Sequence, residues 1–426
     1  MIDDLVTEVR FSELDLDARL LKATSDVGFD KCTPIQASTL PLLLAGRDVA
    51  GQAQTGTGKT AAYLLAIMNH MLSREKTSSK IDNKPAPAAM VLAPTRELAI
   101  QIAKDAESLG RHTELKIVLV YGGVDYEKQR AILGAGADIL IGTPGRVIDY
   151  FKQGVFSLKG ICALVLDEAD RMFDLGFIKD LRFLLRRTPH PSRRLTMLYS
   201  ATLSFRVNEL AYEHMNNPQM IQIEPDRRTA EKVKQTLYHV SSEEKIKLLV
   251  GILREQEPSR AIVFVNTKRA ATIVTDCLKT NGYLAKALSG DLVQTKRQRL
   301  IEKFKAGDID IVVATDVAAR GLHIPDISHV VNYDLPQNSE DYVHRIGRTA
   351  RAGASGDAIS LACEEFVFSL QGIEEYIGYK ITVSKYSEDL LADVECPDVK
   401  DVERRRHNRG RRSSSSWPRR KKNKVP

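Results

Sequence analysis

Two short runs in this chain carry residue types that together handle phosphate. The first is Ala53, Gln54, Thr55, Gly56, Thr57, Gly58, Lys59 and Thr60, lying between residues 48–51 and a helix-like stretch at 61–71. Gly56 and Gly58 let the backbone curl, so that successive N–H groups and the following helix N-terminus face an anion. Lys59 is then placed for the outer phosphates and the Thr60 hydroxyl for Mg²⁺. The run departs from GxxxxGK[ST] at its first position, where Ala53 stands for Gly. The second run is apolar, residues 161–166, and ends in Asp167, Glu168, Ala169 and Asp170. Carboxylates at the carboxyl end of a strand sit where open α/β sheets bind ligands. Asp167 suits holding Mg²⁺ through water, because that ion dehydrates reluctantly. Glu168 suits orienting and deprotonating an attacking water. Alone, each run has an ordinary explanation, a turn capping a core helix or acids at a helix N-terminus. Both in one chain leave that explanation little room.

The elements that must position these runs follow from periodicity. Short runs rich in Val, Ile and Leu are expected as strands at 89–93, 116–120, 139–142, 163–166 and 196–200. A second series is expected at 261–266, 284–288, 311–314, 329–333 and 357–362. Such runs suit strands buried on both faces, and the helical stretches between them argue for βαβ units and parallel sheets. The polar stretch 224–235 between the two series has no apolar face and reads as an interdomain linker. The fold class expected is therefore α/β, with two mostly parallel sheets covered by helices.

Asp167, Glu168, Ala169 and Asp170 spell the tetrapeptide that names the DEAD-box helicases, and the chain resembles that family over roughly residues 10 to 390. The resemblance implies two RecA-like domains. It divides the chain into a 1–38 segment, an ATP-binding domain at 39–222, a linker at 223–235, a C-terminal helicase domain at 236–394 and a disordered basic tail at 395–426. Residues 28–36, with Phe11 upstream, are similar to the family's Q motif. This implies that Gln36 hydrogen-bonds the adenine edge and that Phe29 packs on the base; Cys32 stands where the family usually has Pro. Pro94, Thr95 and Arg96, the pair Gly122 and Gly123, and Thr143 with Arg146 resemble segments that grip an RNA backbone. Cations, hydroxyls and glycines position a strand without reading its sequence, and contacts to the 2′-OH favour RNA over DNA. Ser200, Ala201 and Thr202 resemble the motif that links hydrolysis to strand separation, with hydroxyls able to bridge to Asp170.

The second half supplies the other jaw of the same resemblance. Thr267, Gly290, Arg297 and Thr315 are its candidates for RNA-backbone contact. His344 to Arg351 holds three arginines in eight residues; the resemblance implies that Arg348 and Arg351 act as arginine fingers on the γ-phosphate. It also implies that His344 and Arg345 couple this motif to Ser200 and Thr202. Ala350 replaces a usual Gly, and His323 stands where many members carry the Asp that contacts the ribose. Several longer stretches, including His323 and the Arg-rich end, resemble one bacterial subgroup. That likeness implies a role in RNA degradation beside an endoribonuclease scaffold of a degradosome, with ATP and Mg²⁺ as cofactors.

Composition narrows the setting. The net charge is +7 over 426 residues, but residues 401–426 hold eleven Lys or Arg against two acids and carry +9, leaving about −2 for the body. The tail is expected to be disordered, and two readings of it stay open: it holds RNA through salt-sensitive contacts, with Trp417 available for stacking, or it is a solvated end that only aids solubility. No apolar run reaches the length of a membrane span, and the N-terminus has no secretory pattern. Five cysteines without CxxC spacing are expected to be reduced thiols in a cytoplasmic protein. Two other readings stay open: a DNA translocase of the same superfamily, and an RNA clamp whose hydrolysis only times release.

Overall fold

The computed structural model describes residues 7–53, 57–74, 80–223, 233–290, 292–319, 327–349 and 356–397. Gln54, Thr55, Gly56, His323, Ala350, Arg351, most of the 224–235 stretch and the basic tail from 398 lie outside these residues. The chain divides into two compact units, with the division at residues 229–230.

The first unit is built on seven strands: β1 Val49–Gln52, β2 Ala89–Leu92, β3 Ile117–Val120, β4 Ile139–Gly142, β5 Ala163–Leu166, β6 Leu195–Ser200 and β7 Gln219–Gln222. They lie in the order β3-β4-β2-β5-β6-β1-β7, and every pairing is parallel. Side chains alternate faces along a strand, and the cores follow that alternation. Ala89, Val91, Ile139, Ile141, Ala163, Val165, Met197 and Tyr199 pack into one core. Met90, Leu92, Leu140, Leu164, Leu166 and Leu198 pack into the other. Burial on both faces is what makes these strands read as continuous apolar runs. A small antiparallel hairpin, Lys80–Ile81 with Lys84–Pro85, stands apart from the sheet.

The second unit repeats the plan with β8 Val233–His239, β9 Ala261–Phe264, β10 Ala285–Leu288, β11 Ile311–Ala314, β12 His329–Asn332, β13 Gly356–Ala362 and β14 Thr382–Val383. The order is β10-β11-β9-β12-β13-β8-β14, again parallel throughout. Strand β8 begins at Val233, inside the stretch expected to be linker; its central residues Lys234, Gln235 and Thr236 are polar and partly exposed, which hides it from an apolar-run reading. The chain then returns along helix Lys245–Gln256, where a Cβ on Gly251 would lie 1.7 Å from the Leu390 carbonyl oxygen. Only glycine allows that approach.

The cysteines depart from expectation. Cys277 and Cys396 are joined by a disulfide across 119 residues, whereas Cys32, Cys162 and Cys363 are free. Asn281 reinforces the junction, donating from Nδ2 to the Glu395 carbonyl at 2.8 Å. The two cysteines are far apart in sequence and lack any local spacing pattern, so only the packing of the C-terminal segment brings them together. No helix among the described residues is long and apolar enough to cross a membrane.

Candidate functional site

Parallel strands put all their carboxyl ends on one edge of a sheet, and the candidate residues of the first unit follow those ends. Gln52 of β1 leads into Ala53 and the glycine-rich loop, Leu166 of β5 into Asp167, and Ser200 ends β6. Gly58 is the cap of helix Lys59–Leu72, with φ +89°, a left-handed conformation that favours glycine. A Cβ there would sit 2.4 Å from Gln36 Nε2.

Gln36 is buried and ties its own element to the loop. Its Oε1 accepts from the Thr33 backbone N–H at 2.8 Å, and its Nε2 donates to the Gly58 carbonyl at 3.0 Å. The Thr33 hydroxyl donates to the Thr57 carbonyl at 2.7 Å. A primary amide has two hydrogens and two lone pairs, so one of each remains for a base edge. Phe29 is 40% exposed, and its ring stacks at 6.1 Å on buried Phe11. Phe11 thus backs Phe29 and belongs to the core.

Lys59 and Asp167 meet as a buried pair, Nζ to Oδ1 at 3.2 Å, with Asp167 fully enclosed. Burial alone pulls the Lys59 ammonium down; Asp167, Glu168 and Asp170 more than reverse this and hold it raised and charged. The same burial raises the Asp167 carboxyl, against the pull of Lys59. The second Asp167 oxygen accepts from the Tyr63 hydroxyl at 2.9 Å. Glu168 caps helix Ala169–Asp174 in the left-handed region, φ +50°, a conformation that costs free energy in a residue with a Cβ. Its Oε2 pairs with Arg171 Nη1 at 2.6 Å, and both side chains are buried.

Asp170 bridges to the end of β6. Its Oδ2 accepts from the backbone N–H groups of Ala201 and Thr202, at 3.0 and 3.1 Å, and from the Thr202 hydroxyl at 3.4 Å. The Ser200 hydroxyl accepts from Asp170 N–H at 3.1 Å. The sequence-expected group Asp170, Ser200 and Thr202 is therefore one hydrogen-bonded cluster, with Asp170 two residues after Glu168 and three after Asp167.

The residues expected to face a polynucleotide start the helices that leave this strand edge. Pro94 follows β2, and Thr95 caps helix Arg96–Leu109 by accepting from Leu98 N–H at 3.3 Å. Arg96 lies against Gly122, where a Cβ would stand 3.2 Å from its Nη2; Gly123 has φ +85°. Thr143 caps helix Pro144–Lys152, on which Arg146 lies over the Tyr126 ring at 4.8 Å and donates to the Tyr150 hydroxyl at 3.1 Å. Arg146 is thus held by aromatic rings.

The second unit repeats the logic. Thr267 follows β9 and caps helix Lys268–Thr280, accepting from Ala270 N–H at 3.0 Å. Gly290 follows β10, and Thr315 follows β11. Arg297 Nη2 donates to the Ala318 carbonyl at 2.7 Å, on the short helix that Thr315 precedes. Arg345 is 1% exposed and makes its bonds inside this unit. It pairs bidentately with Asp316 at 2.6 and 2.7 Å and donates to the Asp334 carbonyl and to Asn266 Oδ1. His344 lies on helix Ser339–Ile346, and Arg348 Nε donates to its carbonyl at 3.2 Å.

The donor set fits Mg²⁺ with a phosphate chain. Asp167 offers one buried carboxylate and Thr60 a nearby hydroxyl, and no cluster of three or more His, Cys, Asp or Glu side chains that would hold a metal without phosphate is found among the described residues. Two participants escaped the sequence reading. Tyr63 stands four residues after Lys59 and Arg171 three after Glu168, spacings that place side chains on one helix face. That spacing was the available signal.

Comparison with known proteins agrees with this layout. Residues 33–211 match the family described as DEAD/DEAH box helicase, and residues 244–353 match the helicase conserved C-terminal domain. The ATP-dependent RNA helicase RhlB of Shewanella denitrificans is 54% identical over 389 residues, covering 91% of this chain and 90% of that protein. The protein of the same name from Vibrio vulnificus is 52% identical over 413 residues, covering 96% and 94%. Among solved structures, S. cerevisiae Dbp5 bound to RNA and ADP BeF3 is similar with a TM-score of 0.76 and 33% identity, over 88% of this chain and 95% of that one. The two parallel sheets are the paired RecA-like domains of that structure's fold, and the chain belongs to the DEAD-box helicase family.

Proposed function

We propose that this chain is an ATP-dependent RNA helicase that hydrolyses ATP faster when RNA is bound and separates short duplexes locally. The observation that carries the reading is the contiguous set Lys59, Asp167, Glu168 and Asp170 with Ser200 and Thr202 at one strand edge. It joins phosphate chemistry to a second hydroxyl cluster through one carboxylate. The names of the bacterial relatives, and the RNA and nucleotide bound to the yeast structure, support the same substrates.

On this reading Lys59 holds the outer phosphates, Thr60 and Asp167 hold Mg²⁺, and Mg²⁺ when bound neutralises phosphate charge. Gln36 reads adenine with its remaining amide hydrogen and lone pair, and Phe29 covers the base. Glu168 accepts the proton of the attacking water. Arg348 and Arg351 complete the site from the second unit as fingers, a contribution worth roughly 10³–10⁵ in rate where it has been measured in GTPases. Pro94, Thr95, Arg96, Gly122, Gly123, Thr143 and Arg146 grip one stretch of backbone, and Thr267, Gly290, Arg297 and Thr315 the next. These contacts are sequence-nonspecific. Closing both grips on one strand bends it and displaces its partner; loss of the γ-phosphate contacts releases it. We place the protein in the cytoplasm, in RNA degradation beside an endoribonuclease scaffold, on the strength of the subgroup resemblance.

ATP hydrolysis measured with and without duplex RNA tests the reading. A clear RNA-dependent rise, together with strand displacement that needs hydrolysable ATP, is expected. Equal rates with and without RNA, or stimulation by DNA in its place, would overturn it.

A further inference from the structure

Asp167 is held from three sides, and one of the holders is unassigned. Its Oδ1 takes Lys59 Nζ at 3.2 Å and the Glu168 N–H at 2.9 Å, while its Oδ2 takes the Tyr63 hydroxyl, at 2.9 Å. Tyr63 stands one helical turn after Lys59, so both side chains project from the same face of helix Lys59–Leu72. The ring is fully buried and lies 5.6 Å from the Tyr199 ring, which limits its freedom to turn away. The Thr60 hydroxyl is its second polar neighbour. The phenol thus neighbours both side chains assigned to Mg²⁺.

We infer that Tyr63 is a positioning residue for the metal-holding carboxylate, an inference that rests on the Mg²⁺–nucleotide reading of this site. With phosphate bound, the three Lys59 ammonium hydrogens are shared between phosphate and Asp167, which loosens the hold on the carboxylate. The Tyr63 hydroxyl and the Glu168 N–H then hold one oxygen each and stop the carboxylate rotating about Cβ–Cγ. A hydrogen bond to a carboxylate is charge-assisted and stronger than a neutral one. A phenylalanine would pack equally well and would leave Oδ2 without that donor. The bland alternative is a core tyrosine that satisfies its hydroxyl on the nearest acceptor; it makes no demand on metal binding.

Tyr63→Phe in the full chain separates the two. A fluorescent ADP analogue is titrated with saturating Mg²⁺ and again with EDTA, and Mg²⁺ is titrated at fixed analogue. The inference expects unchanged affinity in EDTA, a loss of roughly fivefold in the Mg²⁺-dependent gain, and a matching rise in the Mg²⁺ midpoint. In an Asp167→Asn background the same change should cost nothing further, because the two act as one unit. An unchanged Mg²⁺-dependent gain would overturn the inference. So would an equal loss in EDTA and in Mg²⁺, or a full-sized loss in the Asp167→Asn background. If the parental chain itself shows no Mg²⁺-dependent binding of the analogue, the reading of the site fails first and the inference with it.

Discussion

At the scale of single residues the account concentrates on Glu168. Its left-handed backbone and its 2.6 Å pairing with Arg171 fix the carboxylate beside Asp167. Positioned proton transfer contributes roughly 10²–10⁴ in rate. Glu168→Gln should therefore lower RNA-stimulated hydrolysis by about 10²-fold or more while ADP binding persists, as checked by phosphate release and equilibrium titration. Hydrolysis at the parental rate would remove Glu168 from its role. A second residue prediction concerns stability. Burial raises the Asp105 carboxyl from 3.8 to about 6, so the folded chain holds that proton more tightly than the unfolded chain. Stability must then fall as pH rises from about 4 to about 6, with the full cost present above. Asp105→Asn should melt roughly 3 °C above the parent at pH 8, and the difference should vanish below about pH 4. An equal gain at both pH values would show that packing, not ionisation, carries the effect.

At the scale of elements, function is distributed over strand ends. Arg345 shows how this is stabilised: one guanidinium joins the segments after β9, β11 and β12 through Asn266, Asp316 and Asp334. Removing one partner of a buried ion pair costs roughly 3–5 kcal/mol. Arg345→Ala should therefore lower the melting of the second unit by that order while ADP binding to the first unit is kept; loss of both together would contradict it. Most strands buried on both faces were legible in the sequence, and the expected strand 163–166 coincides with β5 to the residue. Strands β1 and β7, neighbours in the first sheet, and β8 and β14, neighbours in the second, were not. Strand β7 alternates exposure over only four residues, β14 has two exposed residues, and β8 is polar in its middle. The phosphate loop and the acid cluster could be read because their chemistry is local in sequence. Tyr63, Arg171 and the Cys277–Cys396 link act through partners that the fold supplies, from three to 119 residues away.

At the scale of the whole molecule, two units of the same plan each present motif residues at the carboxyl edge of a parallel sheet. The proposed clamp requires both edges to share one nucleotide and one RNA strand. Arg348→Ala should then depress RNA-stimulated hydrolysis, by roughly 10³-fold if it serves as a finger, without weakening ADP binding to the first unit. Closure itself is the central claim, and fluorescence energy transfer between one dye on each unit measures it most directly. The account predicts high transfer only when RNA and a nonhydrolysable ATP analogue are both present, and its loss in Arg348→Ala. Transfer that stays the same whether nucleotide and RNA are absent, separate or together would contradict it.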